Sequence, residues 1–540
     1  CKNQSETTPT LRPNHPKYSS PHTTFLVVSS SLDQMSWVSQ FFDNYGTHLL
    51  AVLPFVAAIA YQNRHQLNAT IQHNKSDFPE EADLIIGKFD FDTEHLKRAV
   101  AEFRRLMNLG LNTKGQLMGM LPTFVTEIPD GTETGTFLAL DLGGTNLRVC
   151  SVRLKGRGKF DIHQHKTAVP QELQKASSAS DLFGFIAEQV GIFIKEYHEG
   201  AKTGKSFNMG FTFSFPVEQT AIDRGTLIRW TKGFEVKEAI GKDIVILLQT
   251  ELDNRNIPVK IVALVNDTVG TLMARSYVAP GDHHRLGCIF GTGTNGAYIE
   301  KTNKIRKCAG QFDSDNMIVN MEWGSFDCPL IVLPNTIFDK EVDKNTPNPG
   351  KHLFEKRVSG MFLGELFRRA LLHLTCYGLF KYQASSTLQK PWGVDTSVLT
   401  MISSDPSVSF KLVHEIVLEK LGIHGASDLD LRIVYNVSRA IGRRSARLAS
   451  IAIAGTFLHC GLSETSGDLD VGIDGSLAEF YPKFEEMTRE ALREIIGPEN
   501  EPRIKMGIAK DGSGVGSALC AAAAVKAARH HRTAAPVISE

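Results

Sequence analysis

Apolar residues recur along this chain at helical or strand periods, and the switches between the two periods predict its elements. Residues 93–109 place Leu96, Val100, Phe103, Leu106 and Met107 on one face, the stripe of an amphipathic helix. Runs at 137–140, 147–154 and 159–169 follow, the last two alternating, and read as a three-stranded meander. Residues 181–197 have helical spacing, 207–215 read as a strand, 236–252 as a helix and 259–265 as a buried strand. A similar order restarts at Leu286: residues 286–290 and 297–300 flank a glycine turn, and 317–321 is another apolar run. Leu366, Phe367, Ala370, Leu371 and Leu374 mark a strong helix over 363–380. A long helical insertion precedes a strand at 469–473, a helix at 477–496, a strand at 504–508 and a helix at 515–528. The repeated β-β-β-α-β-α-β order predicts two α/β lobes of related topology around a cleft, where ligands commonly bind.

Ahead of this body, residues 1–24 are rich in Thr, Ser, Pro, Asn and His and are expected to be disordered. Residues 49–61 are an uncharged apolar run of 13 residues containing Pro54, shorter than the roughly 20 of a spanning helix and without a basic segment before it. A helix packed on the body and a peripheral membrane anchor are the two leading readings for it, with a true span a distant third. Residues 62–80 read as a polar linker, so 1–80 form an N-terminal extension. The whole chain has 540 residues, with 59 basic against 59 acidic side chains. That balance leaves no electrostatic footprint for nucleic acid. The eight cysteines form no C-x-x-C pair, and reduced thiols in a cytoplasmic setting are expected.

The candidate chemistry lies in the turns. Asp141-Leu-Gly-Gly-Thr-Asn146 sits between two strands, and its adjacent glycines let backbone N–H groups and the Thr145 hydroxyl converge on one anion. An ordinary hairpin is the competing reading. Gly291-Thr-Gly-Thr-Asn-Gly296 matches the dinucleotide fingerprint formally, but a strand follows where that fingerprint needs a helix. Two strand–turn–strand loops, one per half, instead suit phosphates lying between lobes. Gly200-Ala-Lys-Thr-Gly-Lys-Ser206 is one residue short of a P-loop and leads into a strand, so it reads as a solvated turn. Asp474-Gly-Ser476 and Asp511-Gly-Ser-Gly-Val-Gly516 precede helices, where glycines allow close approach of a ligand. Asp267 ends a buried strand and either caps the next helix or accepts a proton from a substrate hydroxyl. Phe213-Ser-Phe-Pro216, Trp230-Thr-Lys-Gly233 and Met321-Glu-Trp-Gly324 mix polar groups with aromatics, as a sugar requires.

Taken together, LALDLGGTNLRV, FTFSFP, LIRWTKGF, VNDTVGT, GTGTN and MEWGSFD resemble the hexokinase family in order and separation, over roughly residues 84–530. The likeness is strongest to fungal glucokinases and hexokinases. It implies the two-lobed actin, Hsp70 and sugar-kinase fold, which is ribonuclease H-like. The expected division is an N-terminal half at 84–278, with the small lobe mainly 135–266, and a C-terminal half at 279–530. Residues 84–130 would pack on the large lobe and 511–528 would return to the small one.

The resemblance also implies an ATP-dependent transfer to the 6-hydroxyl of glucose or a related hexose. Asp267 would be the general base, and Lys232 would help neutralise the transferred phosphoryl group. Ser214, Thr231, Lys232, Asn266, Asn295, Glu322 and Glu355 would bind sugar hydroxyls. Asp141, Gly143, Gly144, Thr145 and Asn146, with Gly291, Thr292 and Gly293, would hold phosphates, Asp141 standing near Mg²⁺ through water. Asp474, Gly475, Ser476, Gly512, Ser513 and Gly514 would lie near the adenosine. Leu147 and Gly296 depart from the usual aromatic and alanine of the family. The extension brings to mind membrane-associated relatives, including mitochondrial ones. The alternative is a sugar sensor that retains the fold and transfers phosphate poorly; an actin-like ATPase would lack the sugar motifs.

Overall fold

The computed structural model describes residues 78–143, 146–198, 206–230, 233–281, 283–308, 314–509 and 511–534. The extension, including residues 49–61, lies outside them. A short strand β1 (Leu121–Pro122) precedes the meander of β2 (Thr134–Leu142), β3 (Asn146–Lys155) and β4 (Phe160–Ala168). After helix α2 (Ala179–Tyr197), itself preceded by α1 (Thr93–Asn112), come β5 (Phe207–Phe213) and a hairpin of β6 (Val217–Ala221) and β7 (Arg224–Leu227). Helix α3 (Ile244–Asn254), β8 (Val259–Val265) and α4 (Asp267–Val278) complete the first half. The second half opens with β9 (His284–Phe290), β10 (Thr294–Lys301) and β11 (Asn316–Asn320). Its helical insertion includes α5 (Gly360–Thr375) and α6 (Asp428–His459), followed by β12 (Leu469–Asp474), α7 (Phe484–Ile496), β13 (Ile504–Ile508) and α8 (Gly512–Ala534).

The duplication is visible in the strand orders. The first sheet runs β4-β3-β2-β5-β8, and the second runs β11-β10-β9-β12-β13 with β1 added outside β11. In each, three antiparallel strands are joined on one side by two parallel ones. A parallel neighbour needs a crossover, and α2, α3 and α7 supply crossovers of the ordinary kind. The fold is therefore the expected two-lobed one.

The final helices exchange places. Helix α4, from the first half, packs on β9, β10 and β12 of the second sheet, while α8 packs on β2, β5 and β8 of the first. Val269, Leu272 and Met273 of α4 join Val515, Ala518 and Leu519 of α8 in one core between the sheets, separate from the cores on their outer faces. Where the helices cross, glycine meets glycine. A Cβ on Gly516 would lie 2.0 Å from the Gly270 carbonyl oxygen, and one on Gly270 would lie 2.6 Å from that of Gly512. The backbones touch, and no side chain fits between them.

Several boundaries differ from the periodicity. The helix read at 236–252 begins only at Ile244, because Asp243 caps it by accepting from the Val245 and Ile246 N–H groups. The segment 477–496 is broken at Tyr481–Lys483, where Lys483 takes a positive φ of 60°. Helix α5 stops at Thr375, just ahead of Gly378 at φ 127°, and residues 380–382 then turn left-handed as well. The hairpin β6–β7 was not foreseen, and α8 starts at Gly512, earlier than the apolar pattern suggested. The seven cysteines among the described residues are free, as expected. No helix among these residues is long and apolar enough to cross a membrane.

Candidate active site

Two loops and two helix starts meet at the crossing of α4 and α8. Asn266 is the N-cap of α4, its Oδ1 accepting the Thr268 N–H at 3.0 Å and the Thr268 hydroxyl at 2.6 Å. The cap thus lies one residue before Asp267, which is the first helical residue. Asp267 accepts the Thr268 N–H on Oδ1 at 2.9 Å and the Ser214 hydroxyl on Oδ2 at 3.3 Å. Ser214 follows the end of β5, so parallel neighbours β5 and β8 deliver both side chains to one edge of the sheet.

Asp141 ends β2 on the same edge. Its register partner on β3 is Arg148, whose guanidinium lies 3.3 Å from Asp141 Oδ2. The same guanidinium donates to Asp511 Oδ1 and to Ser513 Oγ, each at 2.5 Å, and Ser513 Oγ donates to Asp141 Oδ2 at 2.8 Å. Arg148 therefore ties the first glycine turn to the start of α8. Burial raises the Asp141 pKa above the usual carboxylate range, with Asp267 adding repulsion, against the pull of Arg148 and Ser513. Burial likewise raises Asp474, and Asp267 and Asp511 add to it against the Gly475 N–H. Asp141, Asp474 and Asp267 thus share one field, the setting in which a cation or a phosphate's counter-ion would be welcomed.

The second glycine turn is fixed from both sides. Gly291 donates to the Gly293 carbonyl at 3.0 Å, and its own carbonyl accepts the Gly360 N–H at 2.8 Å. Against it lies Gly475, at φ 114°, where a Cβ would sit 2.6 Å from the Phe290 oxygen and 2.7 Å from the Gly291 nitrogen. Only glycine fits that position. Gly512 is equally close, a Cβ there falling 3.0 Å from Asp474 Oδ2. Gly475 is thereby placed beside the second glycine turn, and Gly512 beside Asp474. Strand β10 starts at Thr294, so the fingerprint-like glycines lead into a strand as the sequence indicated. Of the first turn, Gly143 donates to the Asn146 carbonyl at 3.2 Å; Gly144 and Thr145 lie outside the described residues, as do Thr231, Lys232 and most of the P-loop-like segment at 200–206.

Beyond the second turn is a cluster of amides and carboxylates. Asn295 Nδ2 donates to Asn320 Oδ1 at 2.9 Å and to Glu322 Oε1 at 3.3 Å, and Asn320 Nδ2 donates to Glu322 Oε1 at 2.8 Å. Asn295 Oδ1 accepts from the Gly296 and Trp323 N–H groups, which fixes its amide orientation. Glu355 Oε2 accepts the Thr294 N–H at 3.1 Å. Gly296 is required here, since a Cβ would meet the buried Trp323 ring at 2.1 Å. Across the cleft Phe213, Phe215, Trp230 and Phe234 pack ring on ring with centroids 4.8 to 5.8 Å apart, and Trp230 Nε1 donates to the Val236 carbonyl at 2.7 Å. This box flanks Ser214 and leads directly into residues 231–232.

Sequence reasoning missed Arg148 and its pairing with Asp511, and also Asn320 and the pair Arg229–His352, whose nitrogens lie 3.2 Å apart. A signal existed for Arg148: it mirrors Asp141 about the hairpin turn. Among the described residues no three His, Cys, Asp or Glu side chains form a ready metal cage. Mg²⁺ needs none, since it keeps waters and takes one or two carboxylates beside substrate phosphates. Asp141, partly buried and beside Asp267, fits that role.

Comparison with known proteins agrees with this geometry. Two family models, both described as hexokinase, match residues 81–277 and 285–523. A glucokinase of Aspergillus niger is 44% identical over 481 residues, covering 83% of this chain and 97% of the relative. Hexokinase-2 of Schizosaccharomyces pombe is 43% identical over 456 residues, covering 84% and 98%. A hexokinase from Schistosoma mansoni, solved with glucose, superposes with a TM-score of 0.75 at 36% identity, over 83% of this chain and 99% of that one. This chain belongs to the hexokinase family.

Proposed function

We propose that this hexose kinase uses Asp267 as the general base that takes the proton of a hexose 6-hydroxyl as the oxygen attacks the γ-phosphate of ATP. The observation that carries the reading is the meeting of Asp267 and Ser214 with the Asp141–Arg148–Ser513 group at one edge of the cleft. Phosphoryl transfer asks for in-line positioning and charge neutralisation, with little covalent work from the protein.

On this reading Ser214, Asn266, Asn295, Glu322 and Glu355 bind the sugar hydroxyls, with Thr231 and Lys232, which follow Trp230 in the sequence. Carboxylates and amides paired with one another in this cluster can re-aim their donors and acceptors at hydroxyls. The turns at Asp141–Asn146 and Gly291–Gly293 cradle the phosphates, and residues 474–476 and 512–514 extend that surface toward the nucleoside. Asp141 would hold Mg²⁺, through water, and the ion would offset charge on the phosphates. Drawing the lobes together excludes water that would compete with the sugar as nucleophile. The glucokinase relatives make glucose the preferred substrate of the proposal.

A coupled assay over glucose, mannose and fructose with ATP and Mg²⁺ tests it. Hexose-dependent ADP release, fastest with glucose, is expected. Sugar binding without product would instead support the sensor, and hexose-independent ATP hydrolysis would support the actin-like alternative.

A further inference from the structure

Lys307 has an unusual setting. Its Nζ donates to the Gly119 carbonyl at 2.7 Å and to the Met120 carbonyl at 2.6 Å. Among the described residues no carboxylate oxygen pairs with it, and burial, helped by Lys114, lowers its pKa to about 8. Desolvating an ammonium on neutral carbonyls alone is costly, yet both acceptors lie on consecutive residues of one short segment, so the contact joins Lys307 to that segment specifically.

That segment touches the sugar cluster directly. Met120 stands at φ 45°, and its N–H donates to the Met321 carbonyl at 3.1 Å. Leu121 and Pro122 pair with Asn320 and Val319. A Cβ on Gly119 would lie 3.3 Å from Glu322 Cβ. On its other side, the end of α1 approaches so closely that a Cβ on Gly110 would meet the Met118 oxygen at 2.4 Å. Residues 118–122 are therefore wedged between α1 and β11, with Lys307 closing the third side. Glu322 is left-handed, at φ 54°, a conformation that a non-glycine residue keeps only where its surroundings impose it. That conformation turns its carboxylate to Asn295 and Asn320. From here the chain runs on through Thr123, which bonds the Ile318 carbonyl, into β2 of the other lobe.

We propose that Lys307 is a positioning residue for sugar binding: by clamping the Gly119 and Met120 carbonyls it keeps Glu322 in its left-handed turn, aimed into the hexose site. The inference rests on Glu322 being a sugar ligand, and the experiment separates the two. Lys307→Met keeps the length and loses the donors; its KM for glucose should rise about ten-fold, with kcat and the KM for ATP changed far less. Glu322→Gln should also raise the KM for glucose. The double variant should be no worse than Glu322→Gln alone, because both remove the same aimed carboxylate. A purely structural lysine would lower thermal stability and leave the KM for glucose within two-fold of wild type, about the scatter of such measurements. That result, or effects that multiply in the double variant, overturns the inference. An unchanged KM in Glu322→Gln overturns instead the assignment of Glu322. Should Lys307→Met fail to fold, Lys307→Arg replaces it. Its branched head cannot seat on both carbonyls at the same depth, so a rise in the same direction is expected, and an unchanged KM again refutes the proposal.

Discussion

Replacing Asp267 by Asn separates chemistry from folding at the residue on which the reaction depends. The substitution removes one negative charge and almost no volume. Because Asn266 caps α4, the helix keeps its start, and the loss is limited to the attraction between a carboxylate and the helix's positive end, about 0.3–1 kcal/mol. Relief of repulsion with Asp141 and Asp474 offsets part of it. Thermal unfolding should therefore shift by no more than about 4 °C. Glucose affinity should change by about ten-fold at most, since the amide can still bond a hydroxyl. Turnover, by contrast, loses its base, and kcat should fall by about 10²–10⁴. Glucose 6-phosphate formation measured by a coupled dehydrogenase gives kcat, and tryptophan fluorescence gives the sugar dissociation constant. Turnover within about ten-fold of wild type, or a loss of sugar affinity large enough to explain the deficit, would refute the assignment.

Arg148→Met strands Asp141 and Asp511 without their shared cation in a largely buried site; stability should drop by about 3 kcal/mol in denaturant titration, and the KM for ATP should rise. His352 is held down to about 4 by burial, then by Arg229, Lys356 and Lys351. Its folded pKa lies below the unfolded one of about 6.5, so stability is intact above that value and declines as pH falls from there toward about 4. Thermal melts across that window should flatten in His352→Gln, which keeps an acceptor for Arg229. Gly516→Val should abolish soluble folded protein, because its side chain would enter the Gly270 backbone, whereas Gly87→Ala, with open space around it, should stabilise by up to about 1 kcal/mol in the same expression and melting tests.

The order of elements was legible because burial imposes the strand and helix periods directly: β8 matches its run of apolar residues end for end. The two glycine turns were also legible, since closely spaced glycines between strand-like runs mark where the backbone must reverse, and both lie between strands. What escaped was set by backbone geometry or by distance along the chain. The breaks at Lys483 and at residues 380–382 are left-handed positions held by residues that carry no sequence mark. Asp511 reaches Arg148 across 363 positions, and Lys307 reaches Met120 across 187, so neither pairing leaves a local pattern. Asn320 was hidden because it lies within the apolar run 317–321 and is buried like its neighbours on β11, so it read as part of that strand.

At the bare contact between Gly270 and Gly516 the two helices meet backbone to backbone, with Val269, Leu272, Val515 and Leu519 packed around the point rather than through it. A pivot there would need no side chain to pass between the backbones. Asp267 and Ser513 each sit three residues from that point, while Glu322 and Trp230 lie in segments beyond it. Were the lobes to close about it, the proposed proton acceptor would move little while the proposed sugar-gripping groups travelled farther.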